Sequence, residues 1–293
     1  MVQFWLGTTF IDAAESVTVA RMADDLNYHT LALSDHLAYT EYGSRYPYTD
    51  DGVAPWKAET HWPDAWVMIG AMAAVTRRLR FATKVYVAPA RDLFTVAKAV
   101  STAAFISDNR VSFGVAAGWC RDEFALTGQP FENRGRRLDE MIPVLRALWE
   151  GKPGYAHSGE HYDFPPLNIA PVPTEPIPVY IGGESEAALR RVAAVGDGWI
   201  GARAYRPEQL DEVLGRLSRH LAERGRTLSD ITVMAAVAAY PSVDLYRRLE
   251  DKGVDATQAT PWAMPNDSER NLTGLALKQA TMERFAAEVI ERM

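Results

Sequence analysis

The chain has one cysteine, Cys120, in 293 residues. That excludes an intrachain disulfide framework and a cysteine-rich metal centre. Histidine is scarce too, with six copies, and none falls in H-E-x-x-H spacing. No metal site is expected from local ligand spacing, and no G-x-S-x-G nucleophile elbow occurs. Positive charge is in deficit: 31 Lys and Arg against 38 Asp and Glu leave a net charge of −7. An acidic chain without a basic block does not suggest nucleic acid or an anionic membrane as partner. No stretch approaches the ~18 uninterrupted apolar residues of a membrane span, and the first residues lack a basic leader. The expected location is the cytoplasm. Internal repeats and low-complexity tracts are missing as well.

What remains is an ordinary globular composition, 47% hydrophobic and 24% charged, with a regular alternation running through it. Apolar β-like runs are expected at 3–10, 30–33, 79–87, 111–117, 177–181, 198–202, 231–239 and 255–261. Helical spacing falls between them, at 13–27, 63–76, 94–106, 138–149, 185–195, 207–224 and 242–252, with a last stripe ending at 293. Pro63 is placed in the first turn of its helix, where a missing N–H does no harm. Strands separated by helices require a parallel sheet with helical crossovers. Eight such repeats favour a closed (β/α)8 TIM barrel over an open doubly wound sheet. The expectation is one α/β barrel domain over 1–293. The surplus beyond about 250 residues goes to insertions near 37–62 and 151–176 on the C-terminal face.

Several residues could carry chemistry. Gly196-Asp197-Gly198-Trp199-Ile200-Gly201 fits the dinucleotide pattern G-x-G-x-x-G by letter. Its helix precedes the glycines instead of following them, so the pyrophosphate would meet no helix N-terminus. Gly182-Gly183 is better placed, between a strand and a helix opening at Ser185, although Glu184 and Glu186 already complement that dipole. Asp35-His36 ends the second strand, Lys84 lies in the third, and Gly118-Trp119 follows the fourth. A histidine at a strand end is suited to proton exchange near neutral pH; capping or packing is the bland alternative. Cys120 has no evident His partner and reads as a packing residue. His157 and His161 lie in a hairpin-like stretch, and His29 and His220 read as surface positions. His61 shares an aromatic loop with Trp56 and Trp62.

The order of several fragments resembles the bacterial luciferase-like oxidoreductases. The fragments are Leu33-Ser34-Asp35-His36, then Leu79-Arg80-Phe81-Ala82-Thr83-Lys84-Val85, then Asp108-Asn109-Arg110-Val111 onward to Ala117-Gly118-Trp119. Arg136-Arg137-Leu138-Asp139-Glu140, Leu148-Trp149-Glu150-Gly151, Pro178-Val179-Tyr180-Ile181-Gly182-Gly183 and Gly196-Asp197-Gly198-Trp199 follow. The resemblance runs from the first strand to the last helix. It implies a barrel whose mouth holds a flavin or a deazaflavin, coenzyme F420. The ring would rest on a third-strand bulge near Thr83, Lys84 and Val85, which in that family often carries a non-proline cis peptide. Asp35 would lie near the ring with His36 as the proton-exchanging group. Ala117, Gly118 and Trp119 would line the other side, and Gly182-Gly183 would take the phosphate.

Departures narrow the implication. The sugar-phosphate dehydrogenase branch has a Trp four residues after the His and a Glu after the fourth-strand Gly. Here Thr40 and Trp119 stand there, so sugar-phosphate oxidation is not expected. Trp119 implies an aromatic-walled substrate pocket with Trp56, His61 and Trp262. The leading expectation is an F420-dependent oxidoreductase moving a hydride to or from a small organic molecule. The alternatives are an FMN-dependent monooxygenase and a cofactor-free partner subunit. The family commonly pairs barrels, which implies a homodimer.

Overall fold

The computed structural model describes residues 1–40 and 44–293. Eight parallel strands close into a barrel in the order β1-β10-β9-β8-β7-β4-β3-β2. These are β1 (Gln3–Gly7), β2 (Thr30–Leu33), β3 (Arg80–Thr83), β4 (Val111–Val115), β7 (Val179–Gly182), β8 (Gly198–Tyr205), β9 (Thr232–Val237) and β10 (Ala256–Ala259). Helices α1 (Ser16–Asp25), α2 (Ala65–Ala73) and α3 (Leu93–Ile106) connect the first four strands. Two helices, α4 (Arg121–Leu126) and α5 (Arg134–Trp149), follow β4. Then come α6 (Glu186–Val195), α7 (Pro207–Ala222), α8 (Val243–Asp251) and the closing α9 (Gly274–Glu288). The barrel expectation holds in strand number, direction and closure.

The barrel is filled, not hollow. Large Trp5, Ile200 and Met234 interleave with small Ala32, Ala82 and Ala256 in one buried interior cluster. Alternating bulk across facing strands lets a small barrel close around side chains. The opposite strand faces, including Leu31, Phe81, Phe113, Val179 and Ile181, pack against the helices. Register joins them: Leu31 lies between Leu6 and Phe81, and Phe113 opposite Val179. No helix among the described residues is long and apolar enough to cross a membrane.

Two local expectations change. Pro63 does not open a helix turn, because Asp64 caps α2 and its carboxylate accepts the Trp66 and Val67 amides at 3.0 Å. A carboxylate supplies an acceptor for first-turn N–H groups, so the helix starts after it. The segment 151–176 was expected on the C-terminal face but follows α5 and leads into the start of β7, so it belongs to the opposite end. Its hairpin, β5 (Tyr155–Ser158) with β6 (Asp163–Leu167), lies along the outside of α3 and α5. Glu140 of α5 fastens it, accepting from the His161 and Tyr162 amides at 2.9 and 3.0 Å and meeting His157 Nε2 at 3.0 Å. Phe94 of α3 packs edge-on against Phe164. Connections after helices return to strand N-termini, which is why this insertion cannot sit among the βα loops. Residues 37–62 do follow a strand end, with 41–43 outside the described residues.

His220 and His29 are less exposed than surface positions. His220 lies between Glu186 and Glu223, at 2.6 and 3.4 Å. Burial and nearby Arg80 lower the His29 imidazole from 6.5 to about 4. The unfolded chain therefore binds the proton more readily, and stability falls as pH drops from 6.5 towards 4. His29→Gln should remove up to about 3 kcal/mol of that loss. Denaturation curves at pH 7 and pH 4 measure it; an unchanged acid slope would show that His29 does not contribute.

Candidate active site

The ends of β2, β3, β4 and β7 meet at one side of the barrel mouth. The third strand stops at Thr83, four residues short of its expected end, because the chain then bulges. The Lys84–Val85 peptide is cis, at the position the resemblance marks. Thr83 turns its carbonyl over Gly114, where a methyl group would overlap it, and its Oγ1 donates to the Gly114 carbonyl at 2.7 Å. Lys84 donates its amide to Leu33 O at 2.6 Å, and its own carbonyl accepts from Ser34 Oγ at 3.2 Å. Val85 packs into the barrel interior and against Gly182, where a Cβ would stand 2.6 Å from Val85 Cγ1. Gly114 and Gly182 are thus required by close approach, not by flexibility.

Asp35 and His36 are adjacent in sequence but divide their work. The Asp35 carboxylate is buried and forms a bidentate pair with Arg91, at 2.7 and 2.8 Å, while Val87 N–H donates to it at 2.9 Å. Burial raises its carboxyl above the ordinary range, opposed by the Arg91 charge and the Val87 amide. Both oxygens are engaged in bracing the chain after the bulge. His36 is left at the mouth, its side chain 12% exposed. Its Nδ1 lies 2.8 Å from Oε1 of Glu123, which is buried in the first turn of α4. The same oxygen accepts the Leu37 amide at 2.9 Å. An oxygen already accepting one N–H faces Nδ1 as a second acceptor, so Nδ1 is the donor and a neutral ring presents its lone pair at Nε2.

Aromatic rings enclose this imidazole. Trp56 and Trp62 lie 4.6 and 4.7 Å from it and Trp119 5.8 Å, with Tyr46 packed on Trp56 and Trp119. The Trp62 indole N–H is buried without a hydrogen-bond partner. His61 takes a different part. It is half-exposed, accepts the Ala13 amide at Nδ1 at 3.1 Å, and lines a cleft of about 330 Å³ with Trp62, Thr9 and Ser34. Trp262 stands apart, its ring 5.8 Å from Lys278 Nζ. No ring contact joins it to the cluster among the described residues. A larger cleft, about 590 Å³, opens at the ends of β9 and β10 and is lined by neither His36 nor the bulge.

Around the mouth, Gly118 takes φ +86° and its carbonyl accepts from Arg134 Nε at 2.8 Å, which places Ala117 and Trp119 on either side of a fixed turn. Gly183 takes φ +114°, and its carbonyl accepts from Trp199 Nε1 at 2.7 Å. Ser185 caps α6 by accepting the Ala188 amide, leaving the amides of Glu186 and Ala187 without intrahelical acceptors. The acids beside this turn are already engaged: Arg203 pairs with Glu184, Arg216 pairs with Glu186, and His220 Nε2 lies 2.6 Å from Glu186. Cys120 is buried, and burial raises its thiol, so it is not activated.

Lys84 has no carboxylate partner among the described residues, and burial lowers its ammonium from 10.5 to about 8. Keeping the charge in the fold therefore opposes stability below pH 8, and the penalty fades between pH 8 and 10.5. Lys84→Met should add up to about 3 kcal/mol at pH 7 and little at pH 10.5. Urea denaturation at both pH values checks the sign; a loss at pH 7 would contradict it.

The sequence alone marked His36, Trp56 and Trp119, and the fold assembles them with Tyr46 and Glu123, which it did not mark. The signal for Glu123 was faint: an acid pair, Asp122-Glu123, opening a short helix just past the fourth strand. Acids in a first turn ordinarily complement the helix dipole.

A family model described as luciferase-like monooxygenase matches residues 2–251. A protein of Mycobacterium tuberculosis is 34% identical over 296 residues, covering the whole of both chains. An F420-dependent glucose-6-phosphate dehydrogenase of Beutenbergia cavernae is 31% identical over 226 residues, 74% of this chain and 67% of its own. A monooxygenase of Streptomyces bottropensis superposes with a TM-score of 0.71 over 99% of both chains at 18% identity, a likeness of fold.

Proposed function

The chain belongs to the luciferase-like monooxygenase family, and on that premise we propose that it is an F420-dependent oxidoreductase acting on a small apolar alcohol or ketone. One observation carries the reading: the His36–Glu123 pair, held with Nε2 free inside an aromatic enclosure beside the bulge. The F420-dependent relative supports deazaflavin over FMN.

The residues present fit such a cofactor. Val85, packed on Gly182 at the strand ends, would offer the ring an apolar contact. The first-turn amides of α6, just past the Gly183 turn, suit a phosphate. Gly118 and Trp119 would line the ring's second side. When bound, the deazaflavin supplies the hydride chemistry that no side chain here carries. Glu123 holds the His36 ring and its tautomer. His36 Nε2 takes the hydroxyl proton of an alcohol as it is oxidised, or returns it to a ketone. Trp56, Trp62 and Trp119 exclude water and favour an apolar substrate over a sugar phosphate. Asp35 braces Val87 through its ion pair and touches no reacting atom in this reading.

The test is equilibrium binding of F420 and FMN, read by quenching of tryptophan emission, followed by F420 reduction with a panel of secondary alcohols. F420 binding with turnover supports the reading. Tight FMN binding with none for F420 would favour the monooxygenase alternative, and binding of neither would favour a cofactor-free subunit.

A further inference from the structure

The cleft of about 590 Å³ lies where the ends of β9 and β10 meet helices α8 and α9, and none of its lining residues belongs to the His36 enclosure or to the bulge. Its inner walls are apolar. Ala256 packs in the barrel interior, so strand alternation turns Thr257 and Ala259 towards the helices. Thr257 stands opposite Phe4 of β1, whose ring packs edge-on against Tyr246 of α8 at 4.9 Å and Phe285 of α9 at 5.4 Å. At the rim, Tyr240 and Met264 are 71% and 40% exposed, an apolar entrance.

One atom does not fit this lining. The Thr257 hydroxyl is buried, and it has no hydrogen-bond partner among the described residues. A threonine hydroxyl is bonded directly to Cβ, so the strand itself keeps it on the helix-facing side, at the cleft. A buried hydroxyl left unpaired is costly, and the fold gives it no acceptor or donor. The charged groups nearby are committed. Arg284 pairs with Glu269 at 2.8 Å, donates to the Met264 carbonyl at 3.0 Å and lies 3.6 Å from Glu288. An anion would find no free guanidinium here and would meet the Glu288 carboxylate.

A mostly apolar cleft with one unspent polar group selects a ligand of the same pattern. We propose that it binds a small neutral ring compound bearing one hydroxyl, of the phenol type. The ring lies against Tyr246 and Phe285, whose edges and faces suit an aromatic partner. The ligand hydroxyl bonds Thr257 Oγ1, which can both donate and accept. This is a second small-molecule site, separate from the mouth and independent of the cofactor that the mouth takes.

The test uses the full chain with labelled methionine and valine methyl groups, titrated with phenol, benzene and benzoate and followed by NMR. Met264 and Val289 report the cleft, and Val85 and Val87 report the mouth. Phenol should shift Met264 and Val289 saturably and bind about fivefold more tightly than benzene, the worth of one net hydrogen bond. Benzoate should bind more weakly than phenol. Thr257→Val should abolish the preference for phenol over benzene, and Thr257→Ser should retain it. Thr257→Val should also melt no lower than wild type, because it removes a hydroxyl that nothing in the fold bonds. Equal binding of phenol and benzene to wild type would mean that water alone serves the hydroxyl, and would overturn the proposal. Shifts confined to Val85 and Val87, or a clear loss of stability in Thr257→Val, would overturn it too.

Discussion

His36→Asn should hold F420 as wild type does and turn over about 10²–10⁴ times more slowly. Asparagine preserves a neutral polar side chain at the mouth but cannot accept and release a proton near neutral pH. The loss should fall on kcat, with the cofactor Kd nearly unchanged, because the proposed ring seat, Val85, Gly182 and the Gly118 turn, does not include His36. Glu123→Gln tests the support of the imidazole separately. It keeps the shape but removes an obligate acceptor, so the His36 tautomer is no longer fixed. Residues that act as a unit are not additive. The double variant should therefore be hardly slower than His36→Asn alone. Full turnover by His36→Asn at saturating substrate would remove His36 from the mechanism, and multiplied losses would separate Glu123 from it.

Asp35→Ala should cost about 3–5 kcal/mol of stability, the loss expected when one member of a buried ion pair is removed. The side chains are 2% and 11% exposed, so little water reaches the guanidinium left behind. The Val87 amide loses its acceptor at the same time. Arg91 also packs over the Tyr86 ring at 4.2 Å, which holds it in place after its partner is gone and prevents an easy escape to solvent. Asp35→Asn retains an acceptor for Val87 and should lose less. Urea denaturation of the three proteins measures the series; a loss under about 1 kcal/mol for Asp35→Ala would mean that Arg91 re-solvates. The expectation that Asp35 lies at the cofactor is separable from this, since its carboxylate is already saturated by protein donors.

The barrel was legible because its information is periodic. Apolar runs and helical stripes recur along the whole chain, and a period survives errors of a few residues at each boundary. The third strand shows the limit: residues 79–87 read as one strand despite Arg80, Thr83 and Lys84, yet the chain leaves the sheet at Thr83 because Gly114 offers room for its carbonyl. That requirement belongs to two strands at once. The site was legible where its members are neighbours, as in Asp35-His36, and obscure where the fold brings distant residues together. Glu123 lies 87 positions from His36, and nothing local distinguishes it from a solvated first-turn acid. The second insertion was misplaced for a related reason. Composition shows that a segment is extra, but only its position after a helix shows from which end of the barrel it leaves.

The indoles around His36 make the site its own optical instrument. Trp56 lies 5.3 Å from Trp62 and 6.4 Å from Trp119, at interplanar angles of 76° and 63°. Transition dipoles so close and so inclined couple, giving near-ultraviolet circular dichroism of a strength that isolated tryptophans lack. Protonation of the enclosed imidazole quenches neighbouring indole emission. Proton transfer at His36 and reordering of the aromatic wall therefore have separate spectral readings, one in intensity and one in chirality. Both can be followed in the unlabelled protein before any substrate is identified.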